Sequence, residues 1–336
     1  MTLQPGAQAG QRDHQAHAMS PQTADSQNTV ARGGGGQIHK PLPLAAVLRH
    51  VSLMEEPGRV ASREPVSASA PALSRVNHLL HTVLETCLQL DAARQQLQSA
   101  ISTQRELEVV LEMLAARVEL GHASQMDHRK VTSRLTAARE TVIRIVGEWN
   151  RIGRRFTHLT RLLPVQLETG FETLGPVLAD EMDRLARACL STHADVHFSL
   201  SQRAQAWTAR RSDPACEGSF GPEDFGVWLS NLESARAQAV ADFASAREAY
   251  LQAVLNFDRE HACLVRARSL RRTAETGFRL NTRSAPDFAD AILEESGRNL
   301  AVLVCQSQRQ AAGYHLYALA GLLPRQFGLI EPAAGF

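Results

Sequence analysis

At 336 residues the chain has room for about two domains, and its 44% hydrophobic content is enough for extensive burial. Thirty-six Lys and Arg stand against 35 Asp and Glu, and the formal charge of +1 argues against a general nucleic-acid binder, which would concentrate a basic excess. No stretch approaches the ~18 to 20 apolar residues of a membrane-spanning helix, and the start, Met1-Thr2-Leu3-Gln4-Pro5-Gly6, shows no basic and then apolar secretion signal.

Taken in order, residues 1–40 are rich in Gln, Ala, Ser and Gly, include the run Gly33-Gly34-Gly35-Gly36, and are expected to be disordered. Residues 41–73 hold a short amphipathic helix carrying Leu44, Val47, Leu48 and Val51. A Ser/Pro-rich linker follows, in which Pro65 and Pro71 break any regular element. Residues 74–175 form the first helical-hairpin unit. Its first arm repeats Leu80, Leu84, Leu88, Leu97, Ile101, Leu107, Leu111, Leu114 and Val118 mostly at three- and four-residue spacing, over roughly 65 Å at 1.5 Å per residue. Its second arm carries an unbroken seven-residue repeat, Val131, Leu135, Ala138, Val142, Ile145, Trp149, Ile152, Phe156, Leu159 and Leu163, which keeps one narrow stripe against a partner helix.

Between the arms lies Leu120-Gly121-His122-Ala123-Ser124, with Gly121 suited to a left-handed helix end and Ser124 to a cap. Residues 176–226 contain a short helix with Met182 and Leu185, a continuation with Val196, Leu200 and Trp207, and a breaker-rich segment with Pro214, Gly218, Gly221, Pro222 and Gly226. Residues 227–323 form a second helical hairpin around Leu280-Asn281-Thr282-Arg283-Ser284, and 324–336 form a tail. A shift of 160 residues lays Leu120-Gly121 on Leu280-Asn281 and Ser124 on Ser284, as in an internal repeat. The fold class is mainly α: two long antiparallel coiled-coil hairpins as an internal repeat.

Four passages then carry a resemblance: Ala115-Ala116-Arg117-Val118-Glu119-Leu120-Gly121 with Asp127; Ala246-Arg247-Glu248-Ala249-Tyr250-Leu251-Gln252-Ala253-Val254-Leu255; Leu280-Asn281-Thr282-Arg283 with Asp287 and Asp290; and Leu316-Tyr317-Ala318-Leu319-Ala320-Gly321. Joined by the weaker His193-Ala194-Asp195-Val196, they make the chain resemble the TolC-like outer-membrane efflux proteins over roughly 74–323. The resemblance implies a homotrimer whose helices close into a periplasmic tube below an outer-membrane β-barrel. Such a tube passes substrates outward without catalysis, together with a periplasmic adaptor and an inner-membrane pump. It also implies that the tips, Leu120, Gly121, His122, Ala123 and Ser124 with Leu280, Asn281, Thr282 and Ser284, contact the adaptor. Asp287 and Asp290 match the acidic positions at the tunnel constriction. Three residues apart, the two share one helix face and would form stacked acidic rings that favour cations, with Arg283 near enough to pair with a neighbouring acid. The competing reading of Asp287 is an N-terminal helix residue after Pro286.

Each barrel strand needs about nine to eleven residues, so the stretches before residue 74 and across 210–226 are expected to hold barrel hairpins that are reduced or missing. A soluble, cytoplasmic coiled-coil scaffold, or a degenerate relative that transports nothing, is the alternative to the channel. No cofactor is expected. The histidine pairs His78/His81 and His193/His197 lack a completing ligand, and the odd, scattered cysteines Cys87, Cys189, Cys216, Cys263 and Cys305 form no CxxC pair, so no metal site is expected. Without a nucleophile elbow or phosphate loop, the chain is not expected to be an enzyme.

Overall fold

The computed structural model describes residues 42–55, 70–168, 174–192, 196, 200 and 222–329. The expectations for 1–40, for 56–69 and for nearly all of 193–221 lie outside them, the reduced barrel hairpins included. Among the described residues seven helices follow in order: α1 (Leu44–Glu55), α2 (Ala70–Glu119), α3 (Gln125–Thr160), α4 (Ala179–Thr192), α5 (Pro222–Arg279), α6 (Ala285–Leu319) and α7 (Leu323–Gln326), with one 3₁₀ turn at Pro164–Gln166. Among the described residues, extended pairing is confined to one parallel bridge between Leu42 and Leu167.

Four helix boundaries differ from the sequence expectation. Pro71 is the second residue of α2 and Pro222 the first of α5. Neither proline breaks its helix, because the first turn has no amide partner to lose. Gly226, expected to end the breaker segment, accordingly lies inside α5. The second hairpin's return arm stops at Leu319 rather than 323, since Gly321 turns the chain at φ +67° and the Leu322 amide donates to the Tyr317 carbonyl at 2.9 Å. At the other return arm the helix ends at Thr160, with Arg161 left-handed at φ 59°. Leu163, the last member of the seven-residue stripe, is therefore beyond the helix and 58% exposed.

The long helices form a layer in the order α3, α2, α6, α5. The hairpin α2–α3 and the hairpin α5–α6 are joined where α2 packs on α6, with a lighter contact of α3 on α6. Helices α2 and α5 run towards the turns, α3 and α6 run back, so every neighbour is antiparallel. Six of the ten predicted stripe residues of α3, namely Val131, Leu135, Ala138, Ile145, Ile152 and Phe156, are buried. Helix α2 is covered on several sides, which explains its run of buried residues from Leu80 to Leu90.

Two apolar cores hold the layer. The base core gathers Leu48, Leu84, Phe156, Leu185, Phe243 and Tyr314, and the tip core gathers Leu107, Leu114, Leu135, Phe278, Phe288 and Ile292. Each fully buried Leu or Phe contributes roughly 1.5 to 3 kcal/mol. Between the cores, the α2–α6 seam is polar: Gln96 donates to the Leu300 carbonyl at 3.1 Å, Asn299 to the Ser99 hydroxyl at 2.9 Å, and Thr103 to Ser296 at 2.8 Å. Arg271 of α5 closes this waist by pairing with Glu106 of α2 and, at 3.0 Å, with Glu295 of α6.

Candidate functional site

The two turns are built by the same bonds 160 residues apart. In the first, Gly121 (φ +76°) donates to the Val118 carbonyl at 3.0 Å and His122 to Arg117 at 2.8 Å. In the second, Asn281 (φ 58°) donates to Phe278 at 3.2 Å and Thr282 to Gly277 at 2.8 Å. Only Gly and, next to it, Asn adopt this left-handed conformation cheaply. Ser124 and Ser284 then cap α3 and α6, accepting from the amides of Asp127 and Asp287 at 3.1 and 3.3 Å and donating to their carboxylates at 2.8 and 2.7 Å.

The tips lie side by side. Arg117 of the first hairpin stacks on the ring of Phe278 of the second, 4.4 Å from its centroid. A crevice of about 480 Å³ between them is lined by Arg117, His122 and Asp127 from one tip and by Asn281, Arg283 and Ser284 from the other. Leu120 and Leu280 project from matching places, 72% and 69% exposed, while Gly121, His122 and Thr282 are exposed and Ala123 is half-buried.

The acidic residues divide. The Asp287 carboxylate closes a capping box, also accepting from the Ser284 amide at 3.3 Å, which matches its reading as an N-terminal helix residue. Asp290, one turn on, accepts a two-pronged bond from Arg134 of α3, at 2.6 Å from Nε and 3.3 Å from Nη2. That hydrogen bond, and then the charge of the carboxylate, raises the Arg134 pKa. Within one chain Arg283 takes no part in this tie. Its aliphatic stem lies over Gly277, where an added Cβ would come within 2.8 Å of its Cγ, and no described carboxylate pairs with its guanidinium. Arg134 was missed because nothing in its own helix marks it, and its partner lies 156 residues away.

Among the described residues, no group of three or more His, Cys, Asp or Glu side chains is gathered for a metal, and no helix is long and apolar enough to cross a membrane.

The chain is thus an antiparallel layer of two helical hairpins, joined along one seam and presenting paired tips at one end. Solved structures carry the same fold at low identity. A membrane protein from Pseudomonas aeruginosa aligns over 82% of this chain and 70% of its own at 15% identity, with a TM-score of 0.51. The outer membrane protein VceC from Vibrio cholerae aligns over 83% and 74% at 12% identity (TM-score 0.53), and the Campylobacter jejuni CmeC outer membrane channel over 76% and 65% at 10% (TM-score 0.54). The chain therefore has the fold of the TolC-like outer-membrane efflux channels. No family model and no curated protein matches the sequence itself.

Proposed function

We propose that the chain forms the periplasmic tunnel of an outer-membrane channel in a tripartite efflux or secretion system. Three copies close into a tube that passes substrates without catalysis. The tips, from Leu120 to Ser124 and from Leu280 to Ser284, dock a periplasmic adaptor that connects to an inner-membrane pump. Asp287 and Asp290 line the narrow end. Asp290 is held by Arg134, and Arg283 is left available for a neighbouring copy.

The observation that carries this reading is the pair of open edges. The layer begins with α3 and ends with α5, which make no substantial contact with each other, and both edges expose apolar residues. On α3 these are Ile143 and Val146, 72% and 38% exposed; on α5 they are Val240, Leu251, Leu255 and Val265, between 47% and 61% exposed. Spaced at 100° per residue, Ile143, Asn150 and Arg154 share one face of α3, as Val240, Leu251 and Leu255 share one face of α5. If α5 of one copy meets α3 of the next, the antiparallel alternation continues unbroken round the ring. The heights also agree: at about 1.5 Å per residue, Ile143 lies about 27 Å from the tip end of α3 and Ala262 about 26 Å from that of α5, while Arg154 and Glu248 lie at about 44 and 46 Å. A head-to-tail contact of this kind must close into a ring or run on as a filament.

The test is the native mass of the full-length chain, extracted in detergent from the outer-membrane fraction of a Gram-negative host. The expected result is a trimer that Ile143→Glu or Leu255→Glu dissociates with helicity unchanged. A soluble monomer or dimer, or a trimer indifferent to both changes, would overturn the reading.

A further inference from the structure

The seam that joins the hairpins carries an unusual pair near the base. His81 of α2 and His315 of α6 place their rings 4.7 Å apart, centroid to centroid, at 58°. His81 Nε2 is 3.4 Å from the Ala311 carbonyl oxygen, so the tautomer that bears a proton on Nε2 donates across the seam. Leu80, Val83 and Leu84 on one side and Tyr314, Leu316 and Tyr317 on the other are buried in the base core, so the rings stand at the rim of that apolar packing, His81 half-buried and His315 with a face open to solvent. Two imidazoles at this distance hold together while neutral and repel when both are charged.

We propose that the His81–His315 pair is an acid-sensitive clasp on the base end of the α2–α6 seam, closed while both rings are neutral and forced apart when both take up protons. Among the described residues, the titratable groups that act on the pair come from α2 and α5. On α2, His78 stands three residues before His81 and Glu85 four after; on α5, Asp242 faces His315. Burial, and then the charge of His315, holds the His81 pKa below the ordinary histidine value, against the opposing pull of the Ala311 carbonyl and Glu85. Burial likewise lowers that of His315, against Glu85 and Asp242, with His78 adding to the fall. The folded protein therefore binds protons at these rings less readily than the unfolded chain. The clasp's contribution is complete above the unfolded value of about 6.5 and is lost as pH falls through and below it.

The Gln96, Thr103 and Asn299 hydrogen bonds of the polar waist join neutral groups and do not respond in this range. Burial raises the Glu106 pKa, with Arg271 opposing, so the Arg271–Glu106 pair is a second acid-sensitive point towards the tips. A histidine-specific test separates the two. The clasp is a property of the seam within one chain and does not depend on whether three copies form a tube.

The experiment is amide exchange on the full-length chain near pH 7.5 and near pH 5.5, corrected for intrinsic rates. Acid should speed exchange in residues 78–90 and 308–318 by about tenfold relative to the tip core. The double change His81→Gln, His315→Gln should abolish that response. No acid response at the base of the seam, or one that survives in the double variant, would overturn the proposal. Should the variant lose helicity at neutral pH, imidazole titrations followed by NMR decide: midpoints of His81 and His315 below about 6.5 sustain the clasp, and midpoints at or above it dismiss it.

Discussion

At the first tip, Val118 and His128 are half-buried; at the corresponding places of the second stand Phe278 and Phe288, both buried, with rings stacked at 5.4 Å. Lys130 and Asp290 likewise correspond, opposite in charge. The two turns share their reversing bonds, the second adding one from the Arg283 amide to the Gly277 carbonyl at 3.1 Å, yet only the second tip carries the aromatic anchor and the carboxylate that ties the hairpins together. A shared frame sets where the chain reverses. What the tip rests on, and what holds it, is set by side chains outside the frame.

Breaking the anchor should have the largest effect. Phe278→Ala removes the ring that Phe288 and Arg117 both stack on and leaves a void beside Ala274 and Ala289 of the tip core. A loss of roughly 3 to 5 kcal/mol in local stability is expected. The changes at the equivalent places of the first tip, Val118→Ala and His128→Ala, should cost much less, since neither side chain is fully buried. Amide exchange in residues 110–118 and 285–292 measures the difference; equal losses at the two tips would show that the aromatic pair is no anchor.

Next come the left-handed positions. Gly121→Val and Asn281→Val each force a β-branched residue to positive φ and should cost about 1 to 2 kcal/mol apiece, whereas Asn281→Gly should be nearly neutral. Exchange of the two or three amides after each turn checks this. A cost for Asn281→Gly comparable to that of Asn281→Val would mean that the asparagine side chain, not its φ, is what the second turn requires.

Much of this was legible in the residues. The turns, their left-handed positions, the serine caps and the arms could be read because each rests on interactions within about four residues: a stripe, a cap, a breaker. The reading erred where one local signal carries two meanings. Pro71 and Pro222 read as breakers although a proline at a helix start is accommodated, and the apolar pattern of the return arm runs past Leu319 although Gly321 ends the helix. What could not be read is the seam. Gln96 with Leu300, Arg271 with Glu106, His81 with His315 and Arg134 with Asp290 each join residues more than 150 positions apart, and no periodicity in either arm encodes which faces the other. The acidic pair at the second tip illustrates both sides: the spacing of Asp287 and Asp290 was plain, but only packing assigns one to the cap and the other to Arg134.

The caps and the tie give the smaller effects, and they sharpen the comparison most. Ser124→Ala and Ser284→Ala should each cost about 1 kcal/mol. The second should cost somewhat more, because Asp287 also reaches back to the Ser284 amide, and its loss leaves that carboxylate without the hydroxyl that donates to it. The Arg134–Asp290 tie is weaker still. With side chains 37% and 53% exposed, solvent screens the pair, and Asp290→Asn should cost no more than about 0.5 kcal/mol in low salt and nothing measurable in 1 M salt. Its consequence is positional. Arg134 and Asp290 sit on different hairpins, so losing their bond should raise the mobility of one tip against the other while leaving each turn's own hydrogen bonds protected. Spin labels at Leu120 and Leu280 would report this as a broadened distance distribution in Asp290→Asn at low salt, matched by the unaltered protein in high salt. If the distribution stays narrow in both, the aromatic stack alone fixes the tips, and the charge difference between Lys130 and Asp290 serves something other than holding the hairpins together.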